Sequence, residues 1–313
     1  MRLFYATDVH GSTRCFTKFV NAAEFYGADA VLLGGDITGK AIVPLVAENG
    51  RYRGHFLGEP AAAERGEELD ALEKKIAATG YYAWRCSPDE EAEVAADAGK
   101  REALFVRLIV ERVEQWMALA AERLEPRGIP CLVNAGNDDP TEIDAAIEAS
   151  GWVDFLERRV IELPDGTPVA SCGYANMTPW ACPRDVEEDD LARRLDDVIA
   201  KLDDPGRAIF NFHCPPYGTG IDDGPKLGAD YRVTAGAGGV EMVPVGSKAC
   251  RAAIERHQPL LGLHGHLHES RGTHMLGRTL CVNPGSEYTE GVLRGALFEL
   301  KKGKLKSHQF TAG

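Results

Sequence analysis

What this 313-residue sequence lacks narrows it first. Its eight cysteines (Cys15, Cys86, Cys131, Cys172, Cys182, Cys214, Cys250 and Cys281) include no C-x-x-C pair. That removes the common zinc-ribbon and dithiol redox patterns. Cys131, Cys172 and Cys281 lie in apolar runs and read as buried, reduced thiols. No apolar stretch reaches membrane length, since the best candidate, 103–121, is interrupted by Arg107, Glu111, Arg112 and Glu114. Positive charge is not in excess either: 35 Lys and Arg face 48 Asp and Glu, a net charge of -13. A chain so acidic has no broad surface for a nucleic-acid backbone. A phosphate-bearing small molecule stays open, because a local metal site can reverse the field. Repeats and low-complexity tracts are absent. No signal-like segment precedes Leu3-Phe4-Tyr5-Ala6, which already reads as a strand, so the expected location is cytoplasmic.

What is present is a series of short apolar runs that end in polar residues of one chemical kind. Leu3–Ala6 precedes Asp8 and His10, and Ala30–Leu33 precedes Gly34-Gly35-Asp36. Pro130–Val133 precedes Gly136-Asn137-Asp138, and Ala208–Phe212 ends at His213. Leu260–Leu263 leads into His264-Gly265-His266-Leu267-His268. Runs this short, alternating with helical stretches, predict buried strands of a layered α/β sheet. Ligands just past their carboxyl ends can converge on one edge. Leu280–Ser286 and Gly295–Leu300 read as closing strands, with Asn283 reaching the site edge.

The segment 40–126 differs in character and reads as a helical insertion within a single 1–313 domain. Glu67–Ala78 carries Leu69, Leu72 and Ile76 at helical spacing. Ser87-Pro88-Asp89-Glu90 is a capping box that opens a helix running to Leu124, with a break near Gly99. The insertion is expected to form a cap over the site or a homo-oligomer contact, between which the sequence does not choose. After Asn137, Asp139 reads as the N-cap of a further helix whose dipole would favour an anion.

Two carboxylates, an amide and several imidazoles, each after a strand, form a ligand set for divalent cations. A bare D-x-H or G-G-D is weak and competes with an ordinary turn residue. Asn137 alone is better explained by backbone capping. H-G-H-L-H is stronger, because three imidazoles in five residues suit no purely structural role. A carboxylate shared by two cations, with Asp36 the candidate, would hold them ~3.5 Å apart.

The order D-V-H-G (Asp8, His10), G-G-D (Asp36), G-N-D-D (Asn137, Asp138), H (His213) and G-H-L-H (His266, His268) resembles the calcineurin-like metallophosphoesterase superfamily. The resemblance covers about 1–39 and 127–300 and leaves the insertion unaccounted for. It implies a four-layer α/β/β/α sandwich of two mixed sheets. It also implies two divalent ions (manganese, iron or zinc), the first on Asp8, His10, Asp36 and His268. The second would rest on Asp36, Asn137, His213 and His266. His264 lies outside the family's ligand motif.

One departure matters. Where the family usually has histidine after the Asn, this chain has Asp138, whose negative charge would repel phosphate unless neutralised. The replacement disfavours monoesters more than diesters. The expected activity is therefore phosphodiester hydrolysis by metal-bound hydroxide, with Asp36 and Asp138 in catalytic roles. Asn137 and Tyr217 are the expected substrate contacts, and Tyr217 could stack on an aryl group or simply pack its loop. Two alternatives stand beside this: a scaffold of the same fold that binds protein partners, and a metal hydrolase acting on amides.

Overall fold

The computed structural model describes residues 1–228, 232–236 and 239–313. Every apolar run singled out above forms a strand, and these strands lie in two six-stranded mixed sheets. In the first, Arg2–Ala6, Ala30–Leu33, Cys131–Val133 and Val153–Phe155 run parallel, and Arg294–Leu300 closes antiparallel against Arg2–Ala6. In the second, Ile209–Phe212 sits between Leu261–Leu263 and Pro168–Cys172, parallel to both. Because side chains alternate along a strand, each sheet has two apolar faces to bury. Leu3, Tyr5 and Leu32 point inward to meet Val169, Ile209 and Leu263 of the other sheet. Phe4 and Ala6 point outward onto Phe16 and Phe19 of the helix Thr13–Tyr26. Phe210 and Phe212 point outward onto the helices Glu188–Ile199 and Lys248–His257. The expected α/β sandwich, with helices outside two facing sheets, is what forms.

The insertion holds the expected helices, Glu67–Ala78, Pro88–Ala96 and Ala98–Leu124, with the capping box at Ser87 and Glu90 formed and the break at Asp97. It also holds a four-stranded sheet that the helical reading left out: Ile42–Glu48, Arg51–Phe56, Glu59–Glu64 and Tyr82–Cys86. Its strands are short, and several face solvent on one side, so periodicity was weak. The available signal was turn chemistry. Asn49-Gly50 takes φ of 48° and 81°, as a tight hairpin turn demands. The helix Ala98–Leu124 belongs to both parts. Its second half lies on the main core, where Trp116 stacks on Phe16 at 4.3 Å. The insertion is anchored beside the first motif, since Arg112 donates to the carbonyl of Gly11 and Ser12 donates to that of Ala78.

All eight cysteines are free, and seven are buried. Among the described residues no helix is long and apolar enough to cross a membrane.

Just past the strand Val153–Phe155, the half-buried Glu157 accepts from the amide of Gly173, and desolvation pushes its carboxyl up from 4.5 to about 7. The folded protein therefore keeps a proton that the unfolded chain releases between those values. Stability should fall as pH rises through that window, by on the order of 3 kcal/mol. Glu157→Gln should flatten this dependence. Urea denaturation of both proteins at pH 5 and pH 8 checks it, and parallel curves would refute it.

Candidate metal centre

The strands Arg2–Ala6, Ala30–Leu33, Cys131–Val133, Ile209–Phe212 and Leu261–Leu263 deliver their following residues to one place. Asp8, His10 and His268 place ligand atoms within 4.8 Å of one another, as do Asp36, His213 and His266. His10, Asp36 and Asp138 form a third such group. Asn137 joins them, with its amide oxygen 2.7 Å from His266 Nδ1. Every ligand candidate from the sequence therefore lies in this cluster. His264 does not, because its Nδ1 faces the carbonyl of Phe212 and burial holds it down to about 4.

The backbone is bent to achieve this. Asp8, His10, Asp36 and His266 have φ of 54°, 37°, 48° and 69°, a left-handed region that non-glycine residues rarely occupy. Such strain persists only where the surroundings over-determine it, and it concentrates at functional sites. The surroundings here are specific. The amide of His266 donates to both oxygens of Asp8, at 3.0 and 3.1 Å. The amide of Asp138 donates to Asp36 Oδ1 at 3.0 Å. Ser286 Oγ donates to the carbonyl of Asp8 at 2.6 Å.

Asp139 has a different role from the one expected. The helix after it is only Ile143–Glu148, with Glu142 at the cap position and no side-chain cap bond. Asp139 instead accepts from the amides of Ile37, Thr38 and Gly136 and from the Thr38 hydroxyl. It ties the loop after Ala30–Leu33 to the loop after Cys131–Val133, and no helix dipole starts there. Burial, with Asp36 nearby, raises its carboxyl to about 6. Asn283 is likewise a brace, donating to the carbonyls of Ile221, Gly265 and Leu267.

The electrostatics fit a cation. Burial pushes the Asp36 carboxyl up, but the imidazoles of His213, His10 and His266 outweigh it and hold it well below the usual range. Burial pushes His213 down, and Asp36 and Asp8 outweigh that, lifting it to about 9. His10 goes the other way, to about 4, because burial dominates there. Two histidine nitrogens, Nε2 of His10 and of His268, face each other at 2.9 Å. Nδ1 of His10 and both ring nitrogens of His213 are buried without a hydrogen-bond partner. Buried polar nitrogens are rarely left so. Imidazole, carboxylate and amide donors in this arrangement suit manganese, iron or zinc.

Three participants escaped the sequence reading. Asp185 accepts from the Asn137 amide nitrogen at 2.9 Å, which turns the amide oxygen towards His266. Tyr288 packs its ring on those of His10 and His268, at 4.8 and 5.9 Å. Lys40 places Nζ 2.6 Å from Asp138 Oδ2. No local pattern announces any of them, since each acts through contacts distant in sequence. Tyr217 has Lys248 over its ring at 5.5 Å and Arg251 on its carbonyl.

Outer partners that orient a metal ligand typically matter by ~10–100-fold in metal affinity. Asp185→Ala should therefore weaken manganese binding by about that factor, with some loss of stability too, because the same carboxylate accepts from Thr178 and from the Cys182 amide. Calorimetric titration with manganese checks it, and wild-type affinity in the variant would contradict the role given to Asp185.

No protein-family model matches the chain. An uncharacterised protein of Methanocaldococcus jannaschii, MJ1162, is 29% identical over 152 residues, which are 48% of this chain and 61% of that protein. The chain thus matches about three fifths of that relative's length. TT1561 of Thermus thermophilus shares the fold, with a TM-score of 0.54 over 100% of this chain and 97% of its own, at 16% identity. YfcE, a phosphoesterase from E. coli, overlaps with a TM-score of only 0.33 at 11% identity, a likeness too low to bear on either fold or activity.

Proposed function

We propose that the chain is a metal-dependent hydrolase of phosphate esters, acting on diesters in preference to monoesters through a pair of divalent cations. The observation that carries this reading is the position of one oxygen. Asp36 Oδ2 lies 3.3 Å from His213 Nε2 and 3.7 Å from His10 Nε2, between the two histidine groups. Its other oxygen is committed to the Asp138 amide. A single carboxylate oxygen facing both sets is what a bridge between two cations requires. Asp8, His10 and His268 would complete one position, and Asn137, His213 and His266 the other.

Manganese, iron or zinc bound there would acidify water and neutralise charge on the phosphate oxygens. The chain's own part is to hold the reactants in line and to shape the charge around them. Asp138 is central to the diester preference. Its carboxylate is countered by Lys40 and by the thiol of Cys182, which donates to Oδ1 at 2.8 Å. The pair leaves little free positive charge for a dianion, whereas a diester carries one negative charge. Asn137 and the exposed Tyr217 are the candidate contacts to the ester.

The test is direct. Protein purified with manganese should hydrolyse bis(p-nitrophenyl) phosphate faster than p-nitrophenyl phosphate, and should contain metal by elemental analysis. Metal-free protein inactive after reconstitution would favour a partner-binding scaffold instead.

A further inference from the structure

A cavity of about 440 Å³ opens in the insertion, between its sheet and the helices Pro88–Ala96 and Ala98–Leu124. Its wall is apolar at Ile42, Pro44, Trp84, Val94, Leu104 and Phe105 and charged at Glu91, Arg101 and Glu102. That volume suits a small organic group. One of its lining residues is Lys40, and the same lysine pairs with Asp138 beside His10. The cavity and the candidate metal centre therefore share a residue.

A second observation concerns the helix Pro88–Ala96, which buries none of its residues. It carries Asp89, Glu90, Glu91 and Glu93 and stands on its capping box and the Lys100–Glu93 ion pair. Its apolar residues Val94 and Ala95 line the cavity. A helix normally finds its stability by burying an apolar stripe. This one has no such stripe, and a molecule in the cavity would cover the two residues that could supply one.

We infer that the cavity is the subsite for the organic group of the ester, and that this group is aromatic or otherwise apolar. The phosphate would lie at the Asp36 centre, Lys40 would sit at the junction where a negative charge meets an apolar tail, and Trp84 and Phe105 would take the ring. Aromatic walls match an aryl or nucleobase-like alcohol better than a sugar or a short alkyl chain. The inference rests on the phosphoester reading for the identity of the charged end, and its test is chosen so that the two can fail separately.

The probes are methyl(1-naphthylmethyl)phosphinate and dimethylphosphinate, monoanions like a diester with no ester bond to hydrolyse, titrated calorimetrically into manganese-loaded protein. The aryl compound should bind at least about tenfold more tightly, in keeping with the burial of one ring. Val94→Arg, on a helix with nothing buried to disturb, should erase that advantage and leave dimethylphosphinate affinity unchanged. Equal binding of the two probes, or an unaffected preference in Val94→Arg, would overturn the inference. Independently, 1-naphthol should quench tryptophan emission of the metal-free protein, and Trp84→Phe should remove the quench while Trp180→Phe keeps it. A quench that survives Trp84→Phe would count against the cavity. Retained aryl preference in a protein that hydrolyses no ester would support the cavity and refute the phosphoesterase reading.

Discussion

Asp36→Ala should reduce manganese-dependent hydrolysis of bis(p-nitrophenyl) phosphate by at least about a thousandfold, and bound metal should fall with it. The size of the effect follows from how much converges on one side chain. Its Oδ2 faces His213 and His10, and its Oδ1 receives the Asp138 amide. Alanine would remove the one carboxylate that faces both His213 and His10 and would loosen the loop that carries Asn137. The fold should survive, because the carboxylate lies at the sheet edge and contributes nothing to the apolar layer between the sheets. Far-ultraviolet circular dichroism should be unchanged while metal content and rate collapse together. Wild-type turnover in this variant would place the chemistry elsewhere.

Gly136→Ala is expected to be nearly as damaging, though it removes no ligand. A methyl group at Gly136 would overlap the Asp36 carboxylate and its backbone amide. Both belong to the braced turn that Asp139 holds, so neither can retreat without breaking hydrogen bonds. The loops would be forced apart at the point where the cation groups meet. Loss of metal binding should exceed tenfold, with a stability loss of about 2–3 kcal/mol from overpacking and broken bonds. Gly128→Ala makes the contrasting control. It has φ of 64° but nothing within 4 Å of the added methyl, so it should cost only about 1 kcal/mol and leave metal affinity alone. Manganese titration and urea denaturation of both variants check the pair, and equal metal affinities would show that the close approach at Gly136 is not needed.

The other residues differ in how visible they were. Asp8, His10, Asp36, Asn137, His213, His266 and His268 announced themselves because each follows an apolar run, and a parallel strand puts its carboxyl-end loop on a known edge. Asp139 was visible but misread. Asp before Pro is a good helix opener in isolation, and Ile37 and Thr38, a hundred positions away, join Gly136 in supplying the donors that draw its carboxylate away. Asp185, Tyr288 and Lys40 carried no signal, since their partners lie 48, 278 and 98 positions away (Asn137, His10 and Asp138). The insertion sheet fell between: its helices were plain from caps and spacing, and its strands would have required weighting Asn49-Gly50 above periodicity.

By itself the sequence determined the strands of the two main sheets, the order in which the candidate ligands follow them and the class of cation those donors suit, because these depend on local alternation and donor chemistry. The tertiary structure alone decided that four of those residues adopt left-handed backbone, that one Asp36 oxygen faces two histidine sets, and that Lys40 neutralises Asp138 at the mouth of an apolar cavity. Those facts depend on distances between segments far apart in the chain, which packing sets and no local pattern encodes.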